Sequence, residues 1–466
     1  MAVDLVIKNG KVVTPSGVLE NGAVAVDKGK IVSLGSESAM PSANKVVDAT
    51  GKVILPGALD LHTHPGSGFK PGPDKLRDDF RTETEGALHG GVTTMKVMLS
   101  FLEPVVPYLD KIIDWANTNA YADIVLHVAI QHPSHLDELP EYWKRGITGT
   151  KLFYTAYKGR EGEELGQRNA DSGIVYKICE WGAKMGYPAL PTIHCEEQDI
   201  CDVMRAKLMA EGRQGLSAWL DARPNYVEAM AIESAAWIAQ ATGARINIAH
   251  VSTKESVGVI EEWQKRGVQI SGETTPHYLI LNKDMNLGKH GKIGPPLRTA
   301  ADNARLWEAL RLGILTTMGS DHLAYGAVES KMVSDDIWTS FLGWGGGSEV
   351  MLPLMWTEGV MKGRIALETL AKITGENSAK LIGVYPKKGA LIPGADADIV
   401  VLDPRKEKTL RAEDLHCKSK DYGTAFEGRK VQGVPVLTIV KGTIAVQDGN
   451  TIAKPGIGKF LPCSKI

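Results

Sequence analysis

The chain of 466 residues has few cysteines, almost no net charge and no long apolar run. Its five cysteines are scattered, and the absence of a Cys-x-x-Cys pair excludes a disulfide scaffold and a thiolate zinc site. Lys and Arg number 53 against 55 Asp and Glu, so the net charge is only -2. We therefore expect neither nucleic acid nor an anionic membrane surface as a partner.

The amino terminus lacks the basic and apolar segments of a secretory signal peptide. No uninterrupted apolar stretch approaches the roughly 20 residues that cross a bilayer. We therefore expect a cytoplasmic protein without a membrane anchor. The chain is too long for one ordinary core, which predicts a large domain and a smaller one.

Two kinds of sequence pattern divide the chain. Its ends consist of short β-rich runs with turn signals such as Asn9-Gly10, whereas its middle alternates β-rich runs with amphipathic stretches. The middle pattern is typical of parallel βαβ units, and about eight of them predict an α/β fold built on a (β/α)8 barrel. The predicted regions are a small β-sandwich domain of residues 1–52 and 389–450, a barrel of residues 53–388 and a tail of residues 451–466.

One apolar run, which starts at Val53, ends in His62-Thr63-His64. Alternate side chains of a strand share a face, so the two imidazoles point the same way. Two imidazoles on one face form half of a transition-metal site. A pair of surface histidines is the alternative interpretation.

Four further potential ligands stand at the ends of strand-like runs: Lys151, His194, His250 and Asp321. Their spacing places the whole set on barrel strands 1, 4, 5, 6 and 8, whose carboxyl ends converge in barrel enzymes. Each alone could be a core histidine, a surface lysine or a capping aspartate, but the ordered set predicts a metal centre. Lys151 suits such a centre only as a neutral amine or as a carbamate made with carbon dioxide, because cations repel an ammonium group.

These motifs, together with the run from Ala390 to Asp398, resemble the cyclic amidohydrolases of the metal-dependent amidohydrolase superfamily over almost the whole chain. That family comprises dihydropyrimidinases, hydantoinases and allantoinases. The resemblance implies these metal ligands: His62 and His64 on one ion, His194 and His250 on the other, Lys151 as a bridging N6-carboxylysine, and Asp321 on the first ion.

The resemblance also implies an activity. A metal-bound hydroxide attacks the carbonyl of a cyclic amide of hydantoin or dihydropyrimidine type, and Asp321 passes the proton to the departing ring nitrogen. The product is an N-carbamoyl amino acid. Zinc is the usual metal for such ligands, although manganese, cobalt, nickel and iron suit them too. Family membership further implies a homotetramer or homodimer.

Signals for the subfamily disagree. The stretch after Lys151 is similar to dihydropyrimidinases and hydantoinases, in which a tyrosine binds the developing oxyanion; Tyr157 is the candidate, one residue later than expected. The stretches that begin at His194 and Trp344 are similar to those of allantoinases. Gly294 matches a loop that contacts the ring amide through its backbone. Further substrate contacts are predicted at Trp344 and Gly345.

Aromatic residues are predicted to line the pocket: Phe69, Phe153, Tyr154, Trp338 and Trp344. Such walls favour an aryl or alkyl substituent over the polar ureido group of allantoin. A hydantoinase or dihydropyrimidinase is therefore the preferred interpretation, with an allantoinase or another cyclic imide or amide hydrolase as the alternative. A non-catalytic assembly protein is a remote alternative, which the presence of every ligand residue disfavours. Asp60 and His322 are further candidates for residues that support the ligands.

Overall fold

The computed structural model describes residues 2–67, 73–159, 162–163, 167–330, 334 and 336–463. Its strands are β1 Val3–Thr14, β2 Gly17–Asp27, β3 Lys30–Ser36, β4 Ala43–Asp48, β5 Val53–Pro56, β6 Ala58–His64, β7 Val92–Leu99, β8 Asp123–Ala129, β9 Gly149–Tyr154, β10 Leu190–Cys195, β11 Ile246–Ile248, β12 Ile270–Thr274, β13 Thr317–Met318, β14 His322–Leu323, β15 Ile399–Thr409, β16 Lys430–Val440, β17 Thr443–Gln447 and β18 Asn450–Thr451.

Most helices lie between the strands of the middle region. They are α1 Pro73–His89, α2 Val106–Asn119, α3 Ser134–Lys144, α4 Ser172–Met185, α5 Gln198–Ala210, α6 Leu216–Asp221, α7 Asn225–Thr242, α8 Lys254–Lys265, α9 Pro276–Ile280, α10 Ala300–Leu312, α11 Ala327–Ser330, α12 Gly347–Met355, α13 Leu367–Ala371 and α14 Asn377–Ile382. Within the described residues, no helix is long and apolar enough to cross a membrane.

The strands from β6 to β14 form a closed parallel barrel. From β6 to β13 each strand pairs with its neighbour in chain order, and β14 pairs with β6 to close the ring. The eighth strand consists of two short pieces, β13 on β12 and β14 on β6, which are separated by residues 319–321. The predicted (β/α)8 barrel is confirmed, and its ligand-bearing strand ends all lie at one rim.

Both ends of the chain meet in a separate mixed sheet, as predicted. Its order is β18-β17-β16-β15-β5-β1-β2-β3, with β4 on the edge of β1. Aliphatic side chains from both ends fill its core, among them Ile7, Val24, Ile399 and Ile439. The run that precedes the two histidines is divided, because β5 pairs with β1 and β15 of this sheet whereas β6 enters the barrel.

The prediction of a turn at Asn9-Gly10 is wrong. Strand β1 continues through both residues, and its register against β2 shifts on either side of Gly10. Asn9 adopts a φ of 63°, which makes this a bulge rather than the end of a strand. A Cβ atom on Gly10 would lie 2.6 Å from Cδ1 of Ile54, so close packing against β5 requires a glycine there.

Candidate metal centre

Strand β6 and the break in the eighth strand bring three potential ligands together. Nε2 of His64 lies 3.2 Å from Oδ1 of Asp321, and Nε2 of His62 lies 3.6 Å from the same oxygen. Within the described residues, these three are the group whose ligand atoms all lie within 4.8 Å of one another. The two histidines share a face, as the alternation of a strand requires.

Lys151 projects from β9 into the same space. Its Nζ atom lies 3.0 Å from Nε2 of His62, and its side chain is wholly buried. Burial lowers the pKa of Lys151 from 10.5 to about 8, against the attraction of Asp321 and Glu273. About a fifth of this amine is therefore neutral at about pH 7.4, far more than for a lysine with its ordinary pKa, and the neutral form is the one that can react with carbon dioxide.

His194 on β10 and His250 after β11 form the opposite side of the centre. Nδ1 of His194 lies 3.0 Å from Nε2 of His250, and the ring of His250 lies 5.0 Å from that of His62. Burial lowers the pKa of both His62 and His250, helped for each by the positive charge of Lys151. These two imidazoles are therefore neutral, which is the form that binds a metal ion.

The surroundings of Asp321 favour its charged form, whereas those of His62 and His250 favour the neutral form. Burial alone would raise its pKa, but His62 and the hydrogen bond from His64 bring the pKa well below its ordinary value. Asp321 therefore stays an anion across the usual pH range. Four imidazoles, one carboxylate and one neutral amine match the nitrogen and oxygen donors that zinc and similar divalent ions prefer, so the residues present fit a metal centre.

Backbone strain accompanies these positions. Asp321 and His250 have φ angles of 55° and 36°, and Thr155 and Tyr157 have angles of 56° and 55°. The left-handed region is unfavourable for residues other than glycine, and such strain persists where the surrounding structure enforces it, often at functional sites. At Thr155 and Tyr157 it bends the chain directly after β9.

This bend carries Tyr157 into the pocket over the centre. Its ring lies 5.1 Å from that of His194 and 5.0 Å from that of Phe153, which it meets edge to face. Gly294 lines the same pocket, and a Cβ atom built on it would lie 3.7 Å from the Tyr157 hydroxyl oxygen. Tyr157 and Gly294, predicted as substrate contacts from separate stretches, are thus neighbours.

Of the remaining residues that were predicted to contact the substrate, some line the pocket and others do not. Phe153 and Trp344 line the pocket, but Gly345 does not; its N–H donates to the Gly423 carbonyl and a Cβ atom on it would lie 2.3 Å from the Ser419 carbonyl oxygen. Gly343 lines the pocket instead. Because Gly345 and Gly346 pack against Ser419 and Leu415, which follow β15, only part of this glycine-rich stretch faces the cavity.

Two predicted wall residues lie elsewhere in the core. The Tyr154 hydroxyl bonds Ser172 at 3.0 Å and Ser234 at 2.6 Å, away from the pocket. Trp338 donates its indole N–H to the Arg213 carbonyl. Phe69 lies outside the described residues. The apolar walls that the sequence did not identify are Ile293, Leu323, Tyr325 and Leu342.

Known proteins match this chain along its whole length. The profile of the amidohydrolase family matches residues 219–445. A D-hydantoinase of Geobacillus stearothermophilus is 33% identical over an alignment of 470 positions that covers 98% of this chain and 96% of that protein. The chain belongs to the cyclic amidohydrolase family.

Other cyclic amidohydrolases are similar to a comparable degree. An allantoinase of Salmonella choleraesuis is 30% identical over an alignment of 473 positions that covers 99% of each chain. The crystal structure of a dihydropyrimidinase from Brevibacillus agri has a TM-score of 0.88 at 30% identity and covers 99% of each chain. Identity alone therefore does not select one of these three names for this cyclic amidohydrolase.

Asp60 and His322 were expected to support the candidate ligands. Asp60 accepts hydrogen bonds from the backbone N–H of Ser320 at 2.9 Å and of His62 at 3.2 Å, and so ties β6 to the broken strand next to Asp321. Nε2 of His322 lies 2.9 Å from Oε2 of Glu83 on α1. Asp60 therefore holds backbone beside two candidate ligands of this cyclic amidohydrolase, whereas the His322 side chain contacts α1.

Two buried polar residues near the centre, Glu273 and His277, were not predicted from the sequence. Glu273 is the next-to-last residue of β12 and contacts His62, and a carboxylate near the end of a β-rich run was the signal that could have revealed it. His277 follows on α9; within the part of the chain that the structure describes, neither of its ring nitrogens has a hydrogen-bond partner. Burial lowers the pKa of His277 to about 4. The seventh strand thus contributes to the surroundings of the centre although no ligand was predicted on it.

Proposed function

We propose that this cyclic amidohydrolase opens the ring of a cyclic amide of hydantoin or dihydropyrimidine type and gives an N-carbamoyl amino acid. The observation that carries the proposal is the convergence of six donor residues at one barrel rim. They are His62, His64, Lys151, His194, His250 and Asp321.

We propose that these residues hold two divalent metal ions, with zinc as the proposed identity and a carbamate on Lys151 between them. When bound, such ions polarise a carbonyl and lower the pKa of water. The low pKa of Lys151 supports the carbamate, because only the neutral amine adds carbon dioxide. His62 and His64 would hold one ion, and His194 and His250 the other.

The protein's own groups supply the remaining steps. Asp321, kept anionic by His62 and His64, accepts a proton at its carboxylate and returns it to the departing ring nitrogen. The Tyr157 hydroxyl, next to Gly294, donates a hydrogen bond to the oxygen on which negative charge develops. The backbone at Gly294 lies in the pocket wall, where it can contact the ring amide.

The pocket walls support a substituent of low polarity. They include Phe153, Ile293, Leu323, Tyr325 and Leu342. Among the described residues that line the pocket, Lys151 is the one basic side chain other than histidine. Alkyl or aryl groups on the ring therefore find apolar contacts, whereas a ureido group would lose its hydrogen bonds with water there.

A substrate panel tests the proposal. The purified protein, with its metal content measured, is assayed for ring opening of hydantoin, 5-phenylhydantoin, dihydrouracil, allantoin and succinimide. We expect about two metal ions per chain and turnover of 5-phenylhydantoin, hydantoin or dihydrouracil above that of allantoin. Turnover of allantoin alone would show an allantoinase instead. Protein that contains no metal after careful preparation and opens none of these rings would contradict the enzymatic proposal.

We also propose that the protein is a homo-oligomer, a tetramer or a dimer, as its family membership suggests. Light scattering coupled to size-exclusion chromatography measures this directly against a chain mass of 50.3 kDa. A monomeric mass at micromolar concentration would contradict it.

A further inference from the structure

Two histidines of the candidate metal centre each contact a buried carboxylate through the ring nitrogen that faces away from the centre. Nδ1 of His62 lies 2.6 Å from Oε1 of Glu273, the next-to-last residue of β12. Nε2 of His194 lies 3.1 Å from Oε2 of Glu196, which follows β10. The two carboxylates lie on different strands and contact opposite ends of the imidazole ring, so the two contacts arise independently.

Each carboxylate is in turn paired with a buried cation. Nζ of Lys96 on β7 lies 3.9 Å from Oε2 of Glu273, and Nη1 of Arg223 lies 3.1 Å from Oε2 of Glu196. All four side chains are at most 3% exposed. Burial of a charge is costly unless it is paired. Burial raises the pKa of Glu273 to about 7 against the attraction of Lys96. The Arg223 guanidinium and the hydrogen bond with His194 instead outweigh burial and lower the pKa of Glu196 to about 2. In each contact the carboxylate oxygen next to the ring can accept the imidazole N–H.

The contacts determine which ring nitrogen faces the centre. A neutral imidazole has one N–H and one lone pair, so a carboxylate that accepts the N–H leaves the lone pair on the other nitrogen. For His62 this is Nε2, which lies 3.0 Å from Nζ of Lys151. For His194 it is Nδ1, which lies 3.0 Å from Nε2 of His250.

We propose that Glu273 and Glu196 are positioning residues, each of which holds one histidine in the orientation and tautomer that binds a metal ion, one for each of the two ions. The inference rests on the proposed function. It assigns a role to the seventh barrel strand, which supplies no ligand. It also predicts that the affinity for each ion can be lowered separately. Glu273 would affect the ion held by His62, and Glu196 the ion held by His194.

The test measures metal retention by the holoprotein. Wild-type, Glu273→Gln and Glu196→Gln proteins are dialysed against graded concentrations of a zinc chelator, and bound zinc per chain is measured by atomic emission. Glutamine keeps the volume but lacks the charge. We expect each variant to lose one ion at a free-zinc level about 10- to 100-fold above that at which wild type loses it, while the other ion is retained as in wild type.

Glu349→Gln is the matched control. Oε1 of Glu349 lies 2.8 Å from Nδ1 of His416, so the same kind of buried carboxylate–histidine contact is changed outside the metal centre. We expect this variant to hold both ions as wild type does. Anomalous diffraction at the zinc edge identifies which ion each of the other variants has lost.

The conservative variants Glu273→Asp and Glu196→Asp cover the case in which a glutamine variant does not fold. Each keeps the charge but withdraws the carboxylate from the ring, so we expect a smaller loss of affinity for the same ion. Folding is checked by circular dichroism and by melting of the metal-free protein. Folded variants that retain both ions as tightly as wild type would overturn the inference, whereas wild type that binds no metal would instead overturn the proposed function.

Discussion

The carboxylate of Asp321 lies 3.2 Å from Nε2 of His64, and the chain at Asp321 adopts a left-handed φ of 55° to bring it there. We predict that Asp321→Asn lowers kcat by a factor of about 10² to 10⁴, because the isosteric amide cannot accept the proton. Steady-state kinetics with metal analysis of the same sample measures this. A variant with more than a tenth of the wild-type kcat would rule out proton transfer through Asp321.

Lys151 contacts the same group of ligands from β9. We predict that Lys151→Ala loses bound metal and activity together, because the donor between the two pairs of histidines is removed. Lys151→Glu, which supplies a carboxylate without carbon dioxide, is expected to recover part of the metal content. A Lys151→Ala protein with two ions and the full rate would show that the lysine bridges nothing.

Reloading of the metal-free protein is predicted to depend on pH. The Lys151 amine is protonated below its pKa of about 8 and neutral above it, and only the neutral form adds carbon dioxide. At constant dissolved carbon dioxide and zinc, the rate at which activity returns should rise about tenfold per pH unit below pH 8 and level off above it. A rate that still rises steeply beyond about pH 9 would indicate a lysine with its ordinary pKa.

Tyr157→Phe tests the hydroxyl that lies beside Gly294. We predict a fall in kcat/KM of about 10²-fold, carried mainly by kcat, because a hydrogen bond to developing charge is lost while the ring still packs against Phe153. Metal content should not change. The control is Tyr154→Phe, which removes a hydroxyl that bonds Ser172 and Ser234 outside the pocket. Equal losses in both variants would point to a structural role.

Gly294→Ala tests how the pocket selects a ring substituent. The added methyl group enters open space in the pocket, 3.7 Å from the Tyr157 hydroxyl oxygen, so the variant should fold normally. We predict that KM for 5-phenylhydantoin rises about tenfold while KM for unsubstituted hydantoin changes little. The same change at Gly343 should instead lower the melting temperature, because its φ is +97° and the methyl group would lie 1.8 Å from Leu323. Equal effects on both substrates would show that Gly294 lies away from the substituent.

The positions of the candidate ligands could be predicted because few physical rules determine where these residues lie in the barrel. A strand alternates its faces, so His62 and His64 had to point together, and a parallel barrel gathers the ends of its strands at one rim. Lys151, His194, His250 and Asp321 each ended a β-rich run, and the structure places each at the strand that the spacing predicted.

Other features depend on backbone geometry that the sequence does not show. Whether Tyr154 or Tyr157 reaches the pocket depends on the left-handed residues Thr155 and Tyr157, which are neither glycine nor asparagine. Asn9-Gly10 has the composition of a turn but forms a bulge, because β1 continues through it to pair with β5. Glu273 was overlooked because a single glutamate near the end of a strand is common, and only the folded barrel brings it to His62.

The run that ends in His62 and His64 changes sheet at a single residue. Val53–Pro56 pairs with β1 and β15, Gly57 has no room for a side chain against Thr93, and Ala58 already starts the first barrel strand. The mixed sheet therefore holds the base of the strand that carries His62 and His64. Removing β1 or β15 to obtain a minimal barrel would release this support, so we expect the position of these two candidate ligands to depend on a sheet that lies outside the barrel.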